Sequence, residues 1–227
     1  MTNTSSSTGA AEGPETYESV PDIGFSVEEL QYLLSIRPGA AADMSADVLN
    51  VGPVGTVDDT ILVGGAALLA RGQLEFVPEH GFKPIDAALV LAYVLTNAER
   101  WTIISGATED SADAGIYVEA ADGAILAQPR TLGTWWFVIL DPAVPSAEIL
   151  VGTVMGMADA AEEAGVLVQT RTADDDRTFS VRRRGTDWAY AYGPTGSATP
   201  EAQVDNAAMS DIVAKLASFI AHFPGNR

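Results

Sequence analysis

Gly133-Thr134-Trp135-Trp136 and, further along the chain, Gly185-Thr186-Asp187-Trp188 read as two versions of one strand start. Each is preceded by short runs of β-branched and aromatic residues split by turn residues. Each is followed by a loop and a long helical pattern. Outward from the first copy, the pattern predicts strands near 101–105, 115–120, 124–128 and 134–140 and a helix over 146–164. Asp122-Gly123 suits a two-residue hairpin turn. Outward from the second copy, it predicts strands near 166–172, 177–183 and 187–192 and a helix over 200–222. Two strand–helix units in tandem form a weak internal repeat. Antiparallel strands with packed helices make the fold class α+β.

The N-terminal part reads as helical. Ser26 and Glu29 form a capping box. Leu30, Tyr32, Leu33 and Leu34 recur at helical spacing until Pro38-Gly39. A second helix is predicted from Val57 to Arg71, with Asp58 and Asp59 at its positive end and Gly72 at its C′ position. An extended piece, Leu74 to Val77, precedes a third helix from Pro84 to Asn97. That helix is apolar on nearly all sides and is therefore expected to be buried. Residues 1–22, rich in Ser, Thr, Gly, Glu and Pro, are expected to form a disordered tail. The predicted layout is thus a tail, 1–22, and a single α+β domain, 23–227. The domain has a helical front (23–98), a first strand–helix unit (99–164) and a second (165–223).

Composition narrows the function classes. The 227 residues include no cysteine, which excludes disulfides, thiol catalysis and Cys-zinc sites. His80 and His222 are the only histidines, too few for a His-rich metal site. The net charge of -19 repels nucleic-acid backbones and anionic membranes. No signal peptide or membrane span is visible, which predicts a cytoplasmic protein.

Catalytic motifs are absent from the sequence: it has no Gly-x-Ser-x-Gly elbow, no phosphate loop and no His-Glu-x-x-His. Val51 to Gly55 reads as an ordinary turn, since Pro53 removes a backbone donor. Glu109, Asp110 and Asp113, and the run Asp174, Asp175 and Asp176, lack the pattern of a calcium loop and read as solvated turns. Gly152 and Gly156 read as small residues that let a helix pack closely on a sheet. These readings predict a protein that is not an enzyme and carries no metal or cofactor.

Candidate partner-binding residues remain. Trp135 and Trp136 are consecutive on a strand, so they face opposite sides and one is free to meet a partner. Arg182 and Arg184 share a strand face with Ser180, while Arg183 shares the other with Phe179 and Val181. Such a basic pair can grip a carboxylate-bearing partner.

Phe25-Ser26-Val27-Glu28-Glu29-Leu30-Gln31-Tyr32-Leu33-Leu34 resembles the opening helix of the EspG family, cytosolic chaperones of actinobacterial type VII secretion. Ala66-Ala67-Leu68-Leu69-Ala70-Arg71-Gly72 is similar to that family's helix end. The helix around Ala87, Ala88, Leu89 and Leu95 matches the family in position, as do Phe179-Ser180-Val181-Arg182-Arg183-Arg184 and Asp187-Trp188 ahead of a terminal helix. The resemblance implies a quasi-two-fold α/β fold and binding to secreted helical-hairpin substrates as a chaperone or adaptor, without cofactor. The acidity supports a different reading, an immunity or antitoxin-type protein that binds a basic toxin.

Overall fold

Ser26 opens the first helix as the sequence predicts. Its hydroxyl accepts from the Glu29 amide at 3.3 Å, and the Glu29 carboxylate accepts from the Ser26 amide at 2.8 Å. The computed structural model describes residues 23–54 and 59–222. The expectations for the tail 1–22, for Gly55, and for Val57 and Asp58 lie outside the described residues.

The front comprises strand β1 (Ile23–Ser26) and helices α1 (Val27–Ser35), α2 (Ala40–Leu49) and α3 (Asp59–Ala70). After it come hairpin β2 (Leu74–Val77) and β3 (Gly81–Pro84), then helix α4 (Asp86–Thr96). Strands β4 (Ala98–Thr108), β5 (Ala112–Ala120), β6 (Gly123–Pro129) and β7 (Thr134–Ile139) lead to helix α5 (Ser146–Asp159). Strands β8 (Glu163–Arg171), β9 (Asp176–Arg184), β10 (Asp187–Pro194) and β11 (Ala202–Asp205) lead to helix α6 (Met209–Ala221).

Several elements differ from the sequence reading. Pro38-Gly39 does not only stop α1; it also starts α2, whose Ala42, Ala46 and Leu49 are buried at helical spacing. Pro84 ends β3 instead of starting a helix, because Ile85 stays extended. One side of α4 is open, with Leu89 and Tyr93 exposed. Helix α5 ends at Asp159, four residues before β8 begins. The predicted last helix splits into β11 and α6.

Nine strands form one antiparallel sheet in the order β1-β7-β6-β5-β4-β8-β9-β10-β11. Each half is a run of four strands followed by a helix. The ends of β9 fall sixty-four residues after those of β5, and β10 starts sixty-four residues after β6. Both long hairpins turn the same way. In one, the Thr108 amide donates to the Ser111 carbonyl at 2.8 Å; in the other, the Thr172 amide donates to the Asp175 carbonyl at 2.8 Å. At this offset the two Gly-Thr pairs, predicted to mark equivalent strand starts, are not equivalent. Gly133-Thr134 opens the fourth strand of the first unit, whereas Gly185-Thr186 turns into the third strand of the second.

Two cores sandwich the sheet. On one face Phe25, Trp101, Val118, Ile125 and Phe137 meet Leu33, Leu49 and Leu91 of the helical front. On the other face Ile104, Val168, Phe179 and Tyr190 meet Val154 of α5 and Leu216 of α6. A buried polar chain ties the second layer to the sheet. Tyr117 donates to Ser146 at 2.7 Å, Ser146 donates to Glu119 at 2.8 Å, and Glu119 pairs with the fully buried Arg100. Arg100 also donates to the Ile220 carbonyl at the end of α6, at 3.1 Å.

Glycine spacing has a different meaning from the one predicted. A Cβ at Gly152 or Gly156 would meet nothing within 4 Å, so neither mediates close packing. Helix α5 packs through Leu150, Val154 and Ala158 instead. The close approach is at Gly64, where a Cβ would lie 1.9 Å from the Glu28 carbonyl oxygen, and at Gly65, 2.6 Å from the Tyr32 ring. These two glycines let α3 cross α1 nearly backbone to backbone.

Candidate functional site

The helical front covers one face of the sheet over β1, β7, β6, β5 and part of β4. Its core contains no residue of β8 to β11. On that same face, the second half of the sheet has no helix over it among the described residues. Strand register defines this surface. Ser105, Leu167, Ser180, Ala191 and Gln203 form one cross-strand row, and Ala107, Gly165, Arg182, Ala189 and Asp205 the next. Together they floor an open depression of about 870 Å³.

The repeat shows how the uncovered half differs from the covered one. At the sixty-four-residue offset, Trp101 corresponds to Gly165, Ile116 to Ser180, Val118 to Arg182 and Ile125 to Ala189. Large apolar side chains under the helical front are thus replaced by small or polar ones where the sheet is bare. A small-residue floor exposes little apolar area and lets a partner's side chains approach the sheet. Leu167, at 48% exposure, is the large apolar side chain that stands up from it. At the rim, the Arg182 guanidinium lies 3.9 Å from Asp205, both well exposed. Such a pair adds little stability, so it can exchange Asp205 for an anionic group of a partner at small cost.

The structure places Arg182 and Arg184 on this open face, with Ser180, as strand alternation predicts. Arg183 points the other way, where it pairs with Asp159 and lies 5.4 Å from the Trp188 ring. Trp135 and Trp136 do not join them. They lie on β7, separated from β9 by four strands. Trp135 packs against the front core, whereas Trp136, on the opposite face, is 40% exposed with Arg130 over its ring at 5.9 Å. The four predicted residues therefore do not make one site. The floor residues Ser105, Ala107, Gly165, Ala189 and Ala191 were missed. Their signal was available as a run of small residues at alternate strand positions.

The other candidates resolve into structural roles. Asp176 accepts from Gln169 at 2.8 Å and from Thr195 at 2.6 Å, which ties the start of β9 to β8 on one side and to the residue after β10 on the other. His80 sits in the exposed β2–β3 turn, and His222 follows α6. The Val51 carbonyl accepts from Gln31 at 2.7 Å, so that turn is tied to α1. No group of three or more His, Cys, Asp or Glu residues is placed to hold a metal among the described residues. No helix among them is long and apolar enough to cross a membrane.

No protein-family model matches the chain, and no curated protein does. A solved structure does: that of the Mycobacterium tuberculosis type VII secretion system chaperone EspG5 in complex with a PE25–PPE41 dimer. The match covers 91% of this chain and 98% of that one, with a TM-score of 0.55 and 13% sequence identity. At that identity the likeness is one of fold.

Proposed function

We propose that the chain is a non-enzymatic cytoplasmic binding protein, a chaperone or adaptor that holds a helical secreted substrate of a type VII secretion system. The observation that carries this reading is the bare half-sheet. The covered half of the same face packs helices α1, α2 and α4, and the bare half offers the repeat-related strands with no helix over them among the described residues. A helical partner laid there continues the helical layer of the same molecule. The small floor residues let it approach closely, and Leu167 gives it one apolar contact at the centre. The fold likeness to a chaperone captured with a protein dimer supports the same reading.

Co-expression with a small helical secreted protein encoded beside this gene tests it. The two should co-purify, and Leu167→Glu should abolish the complex while leaving the fold intact. If no such neighbour binds, the reading fails. If binding occurs but collapses steeply with salt, the partner is a basic protein held by charge, as a toxin would be.

A further inference from the structure

A second surface stands apart from the bare half-sheet. Helix α3 touches the rest of the protein through Ile61, Gly64, Gly65 and Leu68, all on its α1 side. Its outward side carries Leu62, Val63 and Leu69, at 62%, 59% and 45% exposure. A helix apolar on all sides is normally buried on all sides. The hairpin that follows α3 continues the exposure: Phe76 and Phe82 face each other across β2 and β3, rings 5.4 Å apart, and both are exposed. More than half of the large apolar side chains exposed among the described residues lie between Leu62 and Tyr93.

Charge decides what covers this surface. No charged residue occurs from Thr60 to Ala70. Around the apolar stripe stand Asp59 at the start of α3, Glu79 in the hairpin turn and Asp86 at the start of α4, while Glu75 and Lys83 offset each other. Of the nearby cations, Arg71 is held by Glu29 and by the Gly24 carbonyl, and Lys83 lies directly across from Glu75. The rim is therefore acidic. A second copy of a chain of net charge -19 is repelled, and so is an anionic bilayer. Val63, Ala66 and Leu69, three apart and exposed, line one ridge of the kind that helices offer to one another, and Leu62 stands beside it. We infer that α3 and the β2–β3 hairpin form a docking face for an amphipathic helix of another protein, one with an apolar stripe and Lys or Arg on its shoulders. This face is independent of the bare half-sheet, so the protein would join two partners.

A fluorescent helical peptide of about 18 residues, with a leucine stripe flanked by lysines, is the probe. It is titrated against the full chain by anisotropy at physiological salt. The chain should bind it, and the double variant Leu62→Gln with Leu69→Gln should weaken binding by at least about tenfold. Leu167→Glu, on the bare half-sheet, should leave binding unchanged. A companion peptide with serine in place of leucine should bind at least about tenfold more weakly. Three results would overturn the inference. One is equal binding by the double variant, and another is equal binding of the serine peptide. The third is a wild-type dimer in sedimentation that the double variant converts to monomer, which would make a second copy the occupant.

Discussion

Ile104 and Val168 sit directly opposite each other across β4 and β8, and each is the other's counterpart in the sixty-four-residue repeat. An approximate two-fold axis through the sheet passes between them. The two halves therefore share one central strand pair, and both side chains are fully buried beneath the α5–α6 layer. No seam separates one half from the other. Chemical denaturation should therefore give one transition, coincident by far-UV circular dichroism and tryptophan fluorescence. Ile104→Ala should lower stability by about 2–5 kcal/mol. Two resolved transitions would show that the halves fold separately.

Glu29 is almost fully buried and does two jobs. It completes the cap of α1 and receives both of its contacts from Arg71 Nη1, at 2.8 and 2.9 Å. Arg71 also donates to the Gly24 carbonyl at 3.0 Å and lies over the Phe25 ring, so it fastens α3 to β1. Replacing it with Met leaves a buried carboxylate without its cation. Because Arg71 is itself partly exposed, the expected loss is about 1–3 kcal/mol. A double-mutant cycle with Glu29→Gln should show coupling between the two. Strict additivity would mean that the pair is incidental.

The Gly64 contact leaves no room for a methyl group, because its far side is backbone. Gly64→Ala should therefore loosen α3 from α1, seen as faster amide exchange confined to those helices or as loss of the soluble fold. Gly152→Ala is the contrasting case. That site is open and helical, so the change should raise stability by about 0.5–1 kcal/mol. If both variants behave alike in thermal melts, the close crossing is absent in solution.

Elements with strong local signals were legible in the sequence. The Ser26–Glu29 box and Gly72 as the left-handed end of α3 act within a few residues. The hairpin predicted at Asp122-Gly123 turns one residue earlier, at Ala121-Asp122, because Gly123 is already paired with Ala120 as the first residue of β6. Gly72 has φ of 71°, and the Gln73 amide closes onto the Leu68 carbonyl at 2.8 Å. Helix α2 was hidden because Pro38-Gly39 signals a stop and a start with the same residues. Strand β11 was hidden because Ala202 to Asp205 is only four residues long and is held as a strand by pairing with β10. The bare half-sheet was half legible. Alternation places Arg182 and Arg184 with Ser180, but only register across three strands, β4, β8 and β9, joins them to Ser105 and Ala107. Arg71-Gly72 stands out in the sequence only through its resemblance to a family's helix end, and the physical partner of the arginine, Glu29, lies forty-two residues earlier.

The Tyr117 hydroxyl is buried between the sheet and α5, and burial is the main reason its pKa is raised above the usual value. The Glu119 charge adds to the rise, while the Ser146 hydrogen bond and the Arg100 charge oppose it. For a phenol, a raised pKa means that the folded state keeps its proton after the unfolded state has lost it. The stabilising contribution is therefore fully present below the unfolded value near 10, and it is lost as pH rises from there through the higher folded value. Tyr32 is shifted the same way by burial and adds to the effect. Denaturant midpoints measured across the alkaline range should fall from about pH 10 upward. In Tyr117→Phe the starting stability should be lower, because Ser146 loses its donor, but the alkaline decline should be shallower. A decline of the same steepness in the variant would show that Tyr117 does not titrate with unfolding, and that the Tyr117–Ser146–Glu119 chain opens before the sheet does.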